Sequence, residues 1–402
     1  VDEAPPVRRT LFLTLYLPSF VLAFGTGMLV PVLPLYARSF GASYGMIGLA
    51  LASQGIGNLI GDIPAGILLG RMGHKRAMLA GIGSLSLAVF AMAWAQSTLH
   101  LIALGLVAGL GTAMWNISRH AYMTDSILVH ERGRATAAFG GFNRIGMFSG
   151  PAVGGTLATV FGLRFPFGVY GAVAIVALVA VALFVVDSGE RVVIHRGGIW
   201  GHTNHLAAVV RKHYRVLGSA GMAQLLAQMI RSGRGIVVPL YAADIVGLNV
   251  TQIGWIVTLS AAIDMAMFYP AGVIMDRFGR KYSSVPSFAL QALGMALIPF
   301  TFSFGTLLAA TLVIGFGNGL GSGTMLTLGS DLAPKESMGE FLGVWRLIGD
   351  VGQSGAPMAV GGIADALSLP LATFAIAGAG LGAALALAFF VPETLRPHKA
   401  KT

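Results

Sequence analysis

Eight ionisable side chains interrupt otherwise apolar runs of this chain: Asp62, Arg119, Arg144, Arg231, Arg234, Asp264, Arg346 and Asp350. In hydrocarbon a charge is costly, so such groups turn toward one another or toward a wet interior, where they handle protons, ions or charged cargo. A desolvated carboxylate can load and unload a proton near neutrality, which makes Asp264, Asp62 and Asp350 the candidates for proton coupling. Asp264 stands first, because ~18 Å of helix separate it from Asp276 and place it near the middle of its run. Arg231 and Arg234, at i and i+3, share a helix face and form a candidate clamp for a carboxylate, phosphate or sulfate group. Arg119 and Arg144 lie at a depth similar to Asp62 and are expected to pair with it or to share in handling protons or substrate. Neutral polar residues at comparable levels extend the candidate lining: Gln54, Asn58, Trp115 and Asn116 in the first half, Gln224, Gln228, Asn318 and Gln353 in the second. Five buried arginines against three aspartates leave the interior positive, which disfavours a purely cationic cargo.

The elements that position these groups are long. The 402 residues are 55% hydrophobic and 10% charged, against about 25% charged for a soluble chain, so a water-facing surface of ordinary size is excluded. Twelve apolar segments, each near the ~20 residues that cross a bilayer, are read at 11–36, 45–69, 77–97, 99–124, 136–162, 166–187, 216–242, 250–274, 283–303, 306–330, 341–366 and 369–391. The fold class expected is an all-α membrane protein, with a first bundle over 1–187, a polar linker over 188–215 that includes a short amphipathic stretch, and a second bundle over 216–402. The net charge of +10 does not point to nucleic acid, because the basic residues sit in short loops between the apolar runs. With both termini inside, nineteen of the 26 Lys and Arg fall in the cytoplasmic segments and two, Arg38 and Arg164, outside, as the positive-inside bias requires. There is no cysteine, hence no disulfide and no thiolate metal site. No zinc-protease motif, phosphate-binding loop or paired loop carboxylates mark an enzyme.

The two halves repeat. G-V-I-M-D-R-F-G-R-K, Gly272–Lys281, is echoed by G-I-L-L-G-R-M-G-H-K, Gly66–Lys75, 206 residues earlier. The same offset relates Asp125 to Asp331 and Gly155 to Gly361, the mark of internal duplication rather than of a small solenoid repeat. Asp276, Arg280 and Asp331 are expected to form a conformational latch at one end of the second half. The first half keeps Asp125 but has Gly70 and His74 where the second has Asp276 and Arg280, so the latch is expected to be lopsided. In the fifth segment Gly146, Gly150 and Gly154 recur every four residues, which admits a neighbouring backbone, and Pro151 removes a backbone donor. With Gly155 they are expected to form a hinge and seal.

Gly272–Lys281 resembles the signature loop of the major facilitator superfamily, and Gly146–Gly155 (G-M-F-S-G-P-A-V-G-G) is similar to the fifth-helix motif of its twelve-helix drug–proton antiporter branch. The branch's fourth-helix motif carries an Arg at the position occupied here by Gly105. The resemblance implies two pseudo-symmetric six-helix bundles in a bacterial inner membrane, a central path lined by helices 1, 4, 7 and 10, and proton-coupled efflux of a small amphiphilic compound by alternating access. The expected partners are that compound, protons and the bilayer. No nucleic acid, cofactor or metal is expected, and the chain is expected to act as a monomer. The alternative is a carrier for an organic or lipid-like anion held by the arginines.

Overall fold

The computed structural model describes residues 11–128, 130–186 and 210–395. Among them the secondary structure is helical, with α1 (Phe12–Leu29), α2 (Tyr44–Met72), α3 (His74–Met92), α4 (Thr98–Ser126), α5 (Arg132–Phe161), α6 (Phe165–Phe184), α7 (Tyr214–Asp244), α8 (Val250–Arg277), α9 (Arg280–Phe300), α10 (Phe304–Leu332), α11 (Met338–Ala366) and α12 (Leu369–Phe389). Among the described residues nine of these are long and apolar enough to cross a membrane by length and composition; α5, α7 and α11 are outside that set. Most of the linker over 188–215, with its expected amphipathic stretch, lies outside the described residues.

Two helices differ from the segments expected. The first run stops at Leu29 and resumes as a short helix, Leu33–Arg38, with Pro34 in its first turn, where a missing N–H costs nothing. α10 is interrupted between Leu320 and Thr324, where Gly323 takes a positive φ of 77°, a conformation that glycine adopts without strain.

The 206-residue repeat is written into the backbone. Ser43 caps α2 and its equivalent Asn249 caps α8, accepting from Gln252 N at 2.9 Å. Ser97 caps α4 and Ser303 caps α10. Positive φ recurs at Gly41 and Gly247 and at Gly73 and Gly279. Interior prolines recur at Pro64 and Pro270 and at Pro151 and Pro357.

The chain clusters into two compact units: residues 1–195 with Pro239–Thr258, and 196–238 with 259–402. The end of α7 and the start of α8 thus belong to the first unit. There α2 packs on α4, α3 on α4 and α6, and α1 on α5 and α6. In the second unit α9 packs on α10 and α12, and α11 on α12.

Glycines set the spacing. In α5, Gly150 lies so close to α1 that an added Cβ would sit 2.5 Å from Phe24 O and 2.6 Å from Met28 N; Gly146 faces Phe20 O and Gly154 faces Met28 O in the same way. Gly105 of α4 abuts Ser53 of α2, whose side-chain hydroxyl occupies the space that a Cβ at this position would enter.

Candidate functional site

In the second unit one polar cluster forms where α7, α8 and α10 meet. Asp264 is midway along α8. Asn318 of α10 donates from Nδ2 to Asp264 Oδ2 at 2.6 Å, and Arg234 Nη2 of α7 lies 3.9 Å from the same oxygen. The approach depends on Gly319, whose Cα faces Asp264 O at a distance that would leave an added Cβ only 2.5 Å away. One carboxylate is therefore flanked by a neutral donor and a guanidinium, and protonation would relax both.

Arg231, one turn before Arg234, does something else. Its Nη2 donates to Gly321 O at 2.9 Å, and its guanidinium lies 5.2 Å from the Phe288 ring centroid. Gly321 ends the first piece of α10, whose last carbonyls lack helical partners and carry the negative end of the dipole. Arg231 thus neutralises the helix break, while Arg234 faces the acid. The two expected clamp residues are not equivalent.

The remaining candidates spread over both units. Gln224 is buried and abuts Gly349 of α11, where the half-buried Gln228 also reaches. Gln353 contributes its backbone: Ser232 Oγ donates to its carbonyl at 2.6 Å. Asp350 lies 3.6 Å from Arg346, one turn away on the same helix. In the first unit Gln54 Nε2 donates to Thr112 Oγ1 at 3.3 Å. Arg119 is buried, its guanidinium 4.1 Å from the Phe139 centroid and 5.7 Å from that of Trp115, so aromatic faces receive its charge. Asp62, Arg144, Asn58 and Asn116 are half-buried on α2, α5, α2 and α4.

The residues expected to form the latch converge. Arg280 donates from Nε to Asp331 Oδ2 and from Nη1 to Asp276 Oδ1, both at 3.0 Å, and also from Nη1 to Met275 O at 3.0 Å. In the first unit His74 Nε2 meets Asp125 Oδ2 at 2.9 Å, with no acid at position 70. The sequence reading missed a third acid. Glu393, just past α12, accepts from Arg280 N and Lys281 N, each at 2.9 Å, and so caps the first turn of α9. Thr394 adds a bond to Asp331 at 2.7 Å and Lys281 Nζ one to Ala388 O at 2.8 Å. Partial burial pushes the Glu393 carboxyl up, but the backbone N–H groups of Leu395, Lys281, Arg280 and Thr394 outweigh it and hold the carboxyl below its ordinary value.

Within the first unit a second contact joins positions 200 residues apart. Asp244, at the end of α7, pairs with Arg38 and accepts from Tyr44 Oη at 2.9 Å. Asp244 is thus committed here, while Asp264 meets Arg234. Nearby, α8 docks on α5. Gly155 faces Val250 O and Gly254 faces Pro151 O, Ala152 N donates to Thr258 Oγ1 at 2.9 Å, and Thr251 Oγ1 donates to Thr159 Oγ1 at 2.9 Å. The five motif residues Gly146, Gly150, Pro151, Gly154 and Gly155 thus serve two seams, one with α1 and one with α8.

Comparison with known proteins agrees with this architecture. A family model described as Major Facilitator Superfamily matches residues 15–212 and 220–402. An uncharacterized MFS-type transporter of Methanocaldococcus jannaschii is 21% identical over 88% of this chain and 91% of its own length. Multidrug resistance protein 2 of Bacillus subtilis is 25% identical over 68% of this chain and 69% of its own. Among solved structures, the nucleoside transporter NupG superposes with a TM-score of 0.79 at 13% identity, covering 96% of this chain and 100% of that one; this likeness concerns the fold alone.

Proposed function

Because the chain belongs to the major facilitator superfamily and is an integral membrane transporter rather than an enzyme, we propose that it couples proton entry to the export of a small amphiphilic compound by alternating access. In this reading all twelve long helices cross a bacterial inner membrane, both termini are cytoplasmic, and the monomer is the working unit. The observation that carries it is the placement of Asp264: midway along α8, shared between Asn318 and Arg234, and opposite Asn58 in the repeat, so that symmetry does not require an acid there. Protonation of Asp264 weakens its hold on α7 and α10; deprotonation restores it. A drug-resistance relative supports an amphiphilic cargo.

The anion-carrier reading draws on the same arginines. It is less favoured, because Arg231 is committed to Gly321 and Arg234 faces a carboxylate. Proteoliposomes loaded with ethidium, norfloxacin or carboxyfluorescein (a cationic, a zwitterionic and an anionic amphiphile) separate the two. Export predicts that an imposed pH gradient drives ethidium or norfloxacin movement in the wild type, and that Asp264→Asn abolishes gradient drive while retaining counterflow. Transport of carboxyfluorescein alone, or gradient drive that survives in Asp264→Asn, overturns it.

A further inference from the structure

His74 and Arg280 are equivalent in the 206-residue repeat, and so are Asp125 and Asp331. Their geometry is equivalent too: the His74 Nε2–Asp125 Oδ2 distance is 2.9 Å and the Arg280 Nε–Asp331 Oδ2 distance 3.0 Å. Each bond ties the start of the third helix of its half to the end of the fourth. What differs is the chemistry of the cation. A guanidinium stays charged at every physiological pH, whereas an imidazole changes charge between about pH 5 and 8. We propose that the His74–Asp125 pair is a pH-sensing form of the contact whose Arg280–Asp331 counterpart keeps its charge at every physiological pH, so that acidification of the adjoining compartment tightens the first unit alone.

The surroundings fit a switch. A carboxylate only accepts, so Nε2 carries the proton in the bond to Asp125 and Nδ1 is the nitrogen left to titrate. Nδ1 is buried and has no hydrogen-bond partner among the described residues, and the side chain is 3% exposed. The ring meets Tyr122 edge-on at 6.2 Å. A neutral ring gives Asp125 an ordinary hydrogen bond; a charged one gives it an ion pair of roughly twice the strength. The other titratable or charged groups at this end are Arg71 at the end of α2, Lys75 and Arg76 on α3, His120 and Tyr122 on α4, His130 and Glu131 in the turn before α5, and Arg132 and Arg134 of α5; Arg132 donates to Thr124 O and Ile127 O on either side of Asp125. What sets His74 apart is its bond to the Asp125 carboxylate, and the His74 variants below separate its part from that of His120, His130 and Glu131. The second unit needs no such response: its Arg280 is held by two acids and its first turn by Glu393.

The inference goes beyond proton-coupled export and does not depend on it. The test therefore reads conformation rather than transport. The chain has no cysteine, so a pair of spin labels can be placed at Arg76→Cys and Ser126→Cys in the whole 402-residue chain, and at the equivalent Tyr282→Cys and Leu332→Cys as control. Double electron–electron resonance should give one narrow distance in the first pair at pH 5.5 and an added longer component at pH 8.0, with the control pair unchanged. His74→Arg should remove the long component at both pH values, and His74→Gln should retain it at both. A first pair insensitive to pH, a response of opposite sign, or a response that persists in His74→Arg overturns the proposal.

Discussion

Replacing Gly150 with Ala tests whether the α1–α5 seam is set by backbone contact. The added Cβ would lie 2.5 Å from Phe24 O, 2.6 Å from Met28 N and 2.7 Å from Gly27 C. Ordinary contact begins at 3.4 Å, so α1 must retreat by about 0.8–0.9 Å, and every neighbour is main chain that no rotamer change can move aside. Overpacking of this kind costs roughly 1–3 kcal/mol. Gly141 of the same helix supplies the internal control, because its Cβ would meet nothing within 4 Å and Ala is the better helix former by up to ~1 kcal/mol. Thermal unfolding in detergent, followed by tryptophan fluorescence, should show a lower midpoint for Gly150→Ala and an unchanged or higher one for Gly141→Ala. Equal midpoints for the two variants would refute the seam, since propensity would then account for both. The seam bears on mechanism: if α1 and α5 move as one block, gating must occur at other contacts.

Further outcomes follow from the second unit. Asp331 is 27% exposed and Asp276 73%, so Asp331→Asn should cost roughly 1–2 kcal/mol, as for a charged hydrogen bond, while Asp276→Asn should cost under ~0.5 kcal/mol, as for a solvent-screened pair; the reverse order in thermal unfolding would contradict the latch geometry. Glu393 has its carboxyl held below its ordinary value of 4.5, so its contribution is complete above that pH and is lost as pH falls through the lowered folded value. Glu393→Gln should therefore speed hydrogen exchange at the Arg280 and Lys281 amides at pH 6, and its difference from wild type should shrink under acid; a difference that stays constant with pH would show that the carboxylate charge plays no part.

Much of this arrangement was legible in the sequence, and the parts that were not have physical reasons. The repeat offset, the Asp276–Arg280–Asp331 convergence and the glycine face of α5 are periodic or motif-borne, and local spacing exposes them. The break in α10 was hidden because Gly321 and Gly323 sit in an apolar run where isolated glycines are common; only the Arg231 guanidinium on Gly321 O marks it as a stop. Glu393 was missed because its partners are two main-chain N–H groups more than a hundred positions away, which no side-chain pattern records. The Asp244–Arg38 pair was invisible for a similar reason: its members are far apart in the chain, and Arg38, at the end of the short helix after α1, was counted only for its charge. The unequal roles of Arg231 and Arg234 are likewise invisible at i and i+3, since that spacing gives a shared face but not what each side chain reaches.

Proton-coupled export stands on Asp264 taking up a proton, which loosens its contacts with Asn318 and Arg234, and giving it back. Infrared difference spectroscopy on the purified full-length protein reads this carboxyl directly, with Asp264→Asn subtracted to identify its band. Proton coupling at this site predicts a protonated-carboxyl stretch that Asp264→Asn removes and that appears and disappears reversibly as substrate is added and withdrawn. A carboxylate that stays ionised throughout, permanently paired with Arg234, would contradict it.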